Sequence, residues 1–333
     1  MPENRVVYFV KRPVGMVTAA SFEVRNESIP PLEEADQLLV ESVYASVDPY
    51  MRGRMSEGKS YAAPFALDTP MQGGMVGQVA DPGSTDLHRG DWVFGVWQWG
   101  EFARVARRAV RRLDPALPPT AALHVLGLTG LTAYIGLTKF GRPVASEQLV
   151  VSGAAGSVGS IVGQIGRILG LRTVGIAGTQ EKCEWLTRAV GFDAAVNYQD
   201  PRFPDHLRDA LEAGVDVYFD NVGGPVTDRV MRYLNPHARI AICGQISSYN
   251  QLEATTSRPL FADLLISRAE ASGFIIGDHE RDYPAALAQL GRWYSEGKLI
   301  VEETITEGFD RWIEAFIGLF HGANRGKAIV KVR

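Results

Sequence analysis

The chain has 333 residues, 46% of them hydrophobic, enough to bury a sizeable core and to divide into two domains. Its 34 Lys and Arg against 38 Asp and Glu leave a net charge of -4, so no basic field draws it to nucleic acid or to an anionic membrane surface. Its two cysteines, Cys183 and Cys243, lack a CxxC spacing, which argues against a disulfide framework or a structural zinc site and for reduced thiols.

The N-terminal stretch "MPENRVVYFVKRP" has no charged region followed by an apolar run, and nowhere does the chain approach the roughly 18 apolar residues of a membrane span. A soluble, cytoplasmic protein without a membrane or nucleic-acid partner is the expectation. Up to "DPALPPTAAL", short β-branched and aromatic runs are broken by Gly and Pro: "RVVYFV", "QLLVESVYASV", "GMVGQVADPG", "DWVFGVWQWGEFARV". That texture predicts a compact, mostly antiparallel, barrel-like domain. Within it, "RVARRAVRRL" carries Arg104, Arg107, Arg108, Arg111 and Arg112, read as a solvated basic surface in preference to an anion site.

From Leu149 onward the texture changes to apolar strands alternating with helical patterns. The strands read "LVVSG", "RTVGIAG", "AAVNY", "VDVYFDNVGG" and "ARIAICG"; helices are predicted over 158–169, around 181–190 and 203–211, and through "TDRVMRYL". Strict alternation of this kind builds an α/β, doubly wound parallel sheet with right-handed crossovers.

At the first of these strands stands "VVSGAAGSVGS": the strand ends at Gly153, and Gly156 and Gly159 open the following helix. Glycines at that spacing allow a tight turn, a close approach of backbone to a pyrophosphate and close packing of helix on strand, while the helix N-terminus offers free N–H groups to phosphates. Gly-rich turns also join strands to helices without binding anything, and only the place at the head of an alternating series makes this a dinucleotide signal.

The second strand runs out into "VGIAGTQEKC". An NAD site commonly puts a carboxylate there to accept from the ribose hydroxyls, and that carboxylate would repel a 2'-phosphate. Gly178 removes the repulsion, Thr179 offers a hydroxyl and Lys182 a positive charge, which favours NADPH over NADH. The plain alternative for Lys182 is an exposed helix lysine beside Glu181, but a cation in a first turn is mildly unfavourable against the helix dipole unless an anion compensates it.

The ordered set "SVDPYMRGRM", "GLTGLTAYIGL", "GAAGSVGSIVGQIGR", "GTQEK", "GFDAAVNY", "YFDNVGG", "RIAICGQISSYN", "EGKL", "EGFDRWIEAF" and "GANRGKAIVKV" spans nearly the whole chain. In these segments the chain resembles the medium-chain dehydrogenase/reductases, within their zinc-independent branch of leukotriene B4 12-hydroxydehydrogenase/prostaglandin reductases, plant alkenal double-bond reductases and bacterial curcumin reductase. The resemblance implies a Rossmann domain, 123–298, inserted into a GroES-like β-barrel catalytic domain made of 1–122 and 299–333, and a homodimer joined through the cofactor domains.

It also implies cofactor contacts: Gly156, Ser157, Val158 and Gly159 at the pyrophosphate, Lys182 at the 2'-phosphate, and Tyr198 and Asn221 along the cofactor. Cys243, Gly244, Gln245, Ile246, Ser247, Ser248 and Tyr249, with Phe274, Ile275, Ile276 and Asn324, would border the nicotinamide half. For Tyr198 and Asn221 the alternative is a strand end, and for Cys243 a small core residue.

A catalytic zinc needs about three Cys, His or carboxylate ligands. Where such an enzyme carries its first cysteine this chain reads "YASVDPYMR", and where a Gly-His-Glu would follow it reads "MQGGMVGQV"; no metal is expected. Without a Lewis acid, hydride delivery to an activated C=C bond of an enal or enone becomes the better hypothesis than ketone reduction. Charge then builds on the carbonyl oxygen and calls for neutral donors, expected from tyrosine and the cofactor's ribose hydroxyl.

Tyr249 is the leading candidate, with Tyr50 and Tyr61 behind it; each could instead be a loop tyrosine covering apolar surface. A quinone reductase of the same fold, and more remotely a non-catalytic NADPH-binding protein of the crystallin kind, remain alternatives. The segments "GKSYAAPFAL" and "NQLEATTSRPLFADLL" are expected to shape the substrate pocket.

Overall fold

The structure is a computed structural model that describes residues 3–58, 60–252 and 260–333. The chain divides into two compact units, one made of Met1–Leu123, Glu303–Asn324 and Ala328–Arg333, the other of His124–Glu302 with Arg325–Lys327.

The first unit is antiparallel. Its larger sheet runs in the order Glu303–Glu307, Lys327–Lys331, Gln37–Ser46, Gln72–Asp81, Trp92–Gln98, Val110–Arg112, with Phe102–Ala106 also paired to Gln37–Ser46. A smaller sheet sets Glu3–Phe9 between Phe22–Ser28 and Thr69–Pro70. The two are joined where the Val7 N–H donates to Trp99 O at 2.8 Å and the Trp99 N–H to Met71 O at 2.7 Å. Alternation of buried and half-buried residues along Gln37–Ser46 sends Leu38 and Val40 inward, as a sheet with one better-covered face requires. The core is aromatic and methionine-rich: Trp99 stacks on Trp312 with centroids 5.2 Å apart, beside Phe316, Phe22, Met51, Met71 and Met75.

The second unit is the doubly wound α/β sheet. Six parallel strands lie in the order Ala194–Asn197, Arg172–Ala177, Gln148–Ser152, Val215–Asp220, Leu234–Ile242, Glu270–Gly273. The first and fourth strands in sequence are therefore neighbours, with Val151 opposite Phe219, and the strand order reverses between them. In open parallel sheets the crevice at that reversal, outside the carboxyl ends of the strands, is where ligands bind. The central strands are buried on both faces, so Gln148–Ser152 shows no alternation at all.

Three details depart from the pattern read in the sequence. The helix expected around 181–190 is α-helical only over Gln180–Trp185 and continues as a wider π-turn over Leu186–Val190, ending at Gly191 with φ 86°. The fifth strand begins earlier, at Leu234, with a register shift opposite Val215/Val217, where Pro236 cannot donate and His237 takes φ 66°. The edge strand Glu270–Gly273 adds a sixth member that apolar periodicity did not mark.

Candidate functional site

The carboxyl ends of the parallel strands gather most of the expected residues. Gly153 turns out of the first strand with φ 58°, the Gly156 N–H closes on Gly153 O at 3.0 Å, and the helix Ser157–Ile168 begins at once. Gly159 is where a side chain is impossible: a Cβ there would stand 2.4 Å from Gly153 O and 2.8 Å from Ala154 Cα. The helix thus lies directly against the loop, its N-terminal N–H groups facing outward. Ser157 Oγ, at the first helical position, is sealed from solvent and has no hydrogen-bond partner among the described residues. A loop of glycines and alanines, a helix start and an orphaned hydroxyl fit the pyrophosphate of a dinucleotide.

The second strand's end brings a hydroxyl and an ammonium onto one short helix. The Thr179 hydroxyl caps the short helix Gln180–Trp185 by accepting the Lys182 N–H at 3.2 Å, and a hydroxyl that accepts can still donate. Burial holds the half-buried Lys182 ammonium below its usual range, while neighbouring Glu181 acts the other way. Tyr198, exposed just past the third strand, lays its ring across Gly178, where a Cβ would meet the Tyr198 hydroxyl at 3.0 Å. Gly178, Thr179, Lys182 and Tyr198 are therefore one local surface.

Two residues that the motif reading missed brace this surface. Arg325 pairs with Glu302 at 2.6 Å and with Glu181 at 3.3 Å, and its guanidinium lies 5.5 Å from the Trp185 ring centroid. The Gly326 N–H donates to Ala155 O at 2.8 Å, so this short stretch of chain is hydrogen-bonded to the glycine loop. Asn324, half-buried, is the last residue of its own piece of the antiparallel unit.

At the fourth strand, Asn221 donates from its side chain to Ser152 O at 2.8 Å and from its backbone to Ser152 Oγ at 2.9 Å. The loop Cys243–Tyr249 follows the fifth strand and is tied to its neighbour by Ser247, whose hydroxyl donates to Val222 O at 2.7 Å. Within it, the Gln245 N–H approaches the half-buried Tyr249 hydroxyl at 3.4 Å. Burial, with the Cys243 thiol nearby, holds the Tyr249 phenol above its usual range despite that N–H. Half-buried Cys243 is pushed up to about 12 by burial and by Asp220, and buried Cys183 to about 11 chiefly by burial; both are free thiols.

The Phe274 ring turns into the core: it stacks on Phe140 at 4.8 Å and meets Phe219 edge-on at 6.2 Å. Ile275 and Ile276 follow half-buried, and Ile276 O accepts the Tyr283 hydroxyl at 3.0 Å.

Tyr50 and Tyr61 belong to the antiparallel unit. Tyr50 opens the short helix Tyr50–Arg54, and burial followed by the Asp48 carboxylate pushes its phenol well above the ordinary value; Tyr61 is exposed. In the two segments where zinc ligands would stand, Met51, Met71 and Met75 are fully buried in the core. Among the described residues no three His, Cys, Asp or Glu gather as a metal site.

The arginine cluster is a paired surface: Arg104 meets Glu33 at 2.6 Å, Arg107 meets Asp86, Arg108 meets Asp36 at 3.1 Å and Arg112 meets Asp91 at 3.0 Å, while Arg111 lies over the Phe94 ring. No helix among the described residues is long and apolar enough to cross a membrane. Of the two segments expected to shape the pocket, Lys59 and residues 253–259 lie outside the described residues.

A parallel sheet with a dinucleotide loop at its point of reversal, carried on one chain with an antiparallel β unit, defines a dinucleotide-linked oxidoreductase. Comparison with known proteins makes the assignment specific. Residues 5–113 match the model of the N-terminal domain of oxidoreductase and residues 157–292 that of zinc-binding dehydrogenase. The chain is 47% identical to the YfmJ protein of Bacillus subtilis, covering 98% of this chain and 97% of that one. It is 38% identical to the NADPH-dependent curcumin reductase of Escherichia coli over 99% of this chain and 97% of the relative. The crystal structure of CurA from Vibrio vulnificus in complex with NADPH superposes with a TM-score of 0.94, at 40% identity and 99% coverage of each chain. This chain belongs to the zinc-independent branch of the medium-chain dehydrogenase/reductases.

Proposed function

We propose that this NADP-dependent oxidoreductase reduces the carbon–carbon double bond of α,β-unsaturated aldehydes and ketones by conjugate addition of hydride. NADPH, when bound, supplies that hydride. Gly156 to Gly159 would hold its pyrophosphate, and Thr179, Lys182 and Tyr198 its 2'-phosphate end, where an ion pair would return to the half-buried Lys182 ammonium what burial costs it in hydration.

The observation that carries the reading is Tyr249, a half-buried phenol beyond the carboxyl ends of the parallel strands whose acidity is suppressed by burial. Such a group stays protonated at neutral pH and can donate to the oxygen on which negative charge grows, where a preplaced donor lowers the barrier most. The proton that completes the reduction at the α-carbon comes from a tyrosine or from water. Further support comes from full-length relatives, among them one named for reduction of curcumin, itself a conjugated enone.

The test is a spectrophotometric panel following NADPH loss with enals, enones, quinones and simple ketones. Turnover of enals and enones above the other classes is expected; turnover confined to quinones would replace the reading with a quinone reductase, and none with any acceptor would leave a binding protein.

A further inference from the structure

Beneath the site lies a carboxylate to which neither the motifs nor the proposed chemistry give a role. Asp220, at the end of the fourth strand, is 2% exposed. Its Oδ1 accepts from Ser152 Oγ at 2.7 Å, Tyr218 Oη at 2.9 Å, Val222 N at 3.0 Å and Gly223 N at 3.1 Å, and its Oδ2 from Thr227 Oγ1 at 2.7 Å. Its backbone carbonyl accepts the N–H groups of Cys243 and Gly244 at 2.8 and 3.1 Å.

These partners come from the first strand, the fourth strand, the loop that follows it, the next helix and the start of the Tyr249 loop. The network reaches further: Ser152 Oγ in turn accepts the Asn221 N–H at 2.9 Å, and Val222 O accepts both the hydroxyl and the N–H of Ser247. Backbone N–H groups cannot reverse their polarity, so the atom facing Val222 and Gly223 must be an acceptor. A buried acceptor with this many donors fixes geometry, because each donor loses its partner if the loop moves.

We infer that Asp220 is the positioning residue of the site, an acceptor-only hub that holds the Asn221–Gly223 loop, and through it the loop carrying Tyr249, in the arrangement the reaction uses. The inference rests on the reading of Tyr249 as donor. Asp220→Asn tests it without emptying the site: the amide oxygen can replace Oδ1 toward Val222 and Gly223, and its NH2 can donate to Thr227 Oγ1, while the charge is lost. Asp220→Ala removes both acceptors.

For Asp220→Ala, which removes both side-chain acceptors, the expected result is loss of hydrogen-exchange protection confined to residues 221–223 and 243–249 in the cofactor-free protein, and for Asp220→Asn, whose amide keeps an acceptor toward Val222 and Gly223, a smaller loss at the same residues with a melting temperature close to wild type. With the enal or enone that the wild-type protein turns over fastest, kcat should fall roughly tenfold to a hundredfold, the scale of a misplaced reacting group.

Unchanged protection in both loops overturns the inference. So does loss of protection spread across the parallel sheet with a lowered melting temperature, which would mean a merely structural carboxylate. Wild-type kcat also overturns it, and Tyr249→Phe assayed alongside separates the two failures. If Tyr249→Phe is impaired, the hub alone falls; if it too is wild type, the reading of Tyr249 falls with it.

Discussion

The Gln245 backbone N–H points at the Tyr249 hydroxyl across 3.4 Å, four residues apart on one loop. The contact uses a lone pair of the phenol oxygen and leaves its proton for another acceptor. Tyr249→Phe removes that proton and little volume. It should lower kcat for enals about a hundredfold, the scale seen when one donor to a developing oxyanion is deleted, with NADPH affinity unchanged. Steady-state kinetics with a fluorescence titration of NADPH check it, and a wild-type kcat removes Tyr249 from the chemistry.

Cofactor choice should depend on Lys182. Replacing it by Ala deletes a charge-assisted contact to a 2'-phosphate but nothing that NADH offers. The ratio of kcat/KM for NADPH over NADH is expected to drop on the order of tenfold, with the NADH value held. An equal loss with both cofactors would mean that Lys182 serves the fold rather than the phosphate.

The glycine loop was legible in sequence because its requirements are local. Gly156 and Gly159 stand where a Cβ would meet the backbone of the turn, Gly153 takes φ 58°, and Gly178 lies against the Tyr198 ring, so two short stretches of chain carry the signal. The Asp220 hub was not legible: an Asp closing an apolar strand reads as an ordinary turn, and its partners Ser152 and Thr227 become neighbours only through the strand register. The edge strand Glu270–Gly273 was missed for another reason, since its sequence EASG has neither β-branched residues nor alternation and its partner strand dictates its conformation. The π-turn after Trp185 left no mark because its apolar spacing still looks helical.

Stability should fall in alkaline solution. The thiols of Cys183 and Cys243 are raised from 9.0 to about 11 and about 12, and the phenols of Tyr50 and Tyr249 are raised as well. Above the unfolded thiol value of about 9 the unfolded chain gives up protons that the folded chain still holds. The stabilisation is therefore complete below about pH 9 and is lost as pH rises from there toward the folded values. Urea midpoints measured at pH 8 and pH 10.5 should show a clear decrease; equal midpoints would contradict the burial of these groups.

Among the described residues, one helix of the parallel unit leaves apolar side chains exposed. On the helix Leu260–Ser267, Phe261, Leu265 and Ile266 are 84%, 79% and 73% exposed, and the adjoining strand Glu270–Gly273 is the edge of its sheet. Exposed apolar residues beside an open edge mark an association surface. A homodimer is expected by light scattering, and Phe261→Asp with Leu265→Asp should yield a monomer; a monomeric wild-type protein would contradict it.

The destination of the hydride tests the account most directly. Turnover of an enone with NADPH deuterated at the transferred position, followed by NMR of the product, should place deuterium on the β-carbon and leave the carbonyl intact. Deuterium on a carbinol carbon would show carbonyl reduction and contradict the proposed reaction.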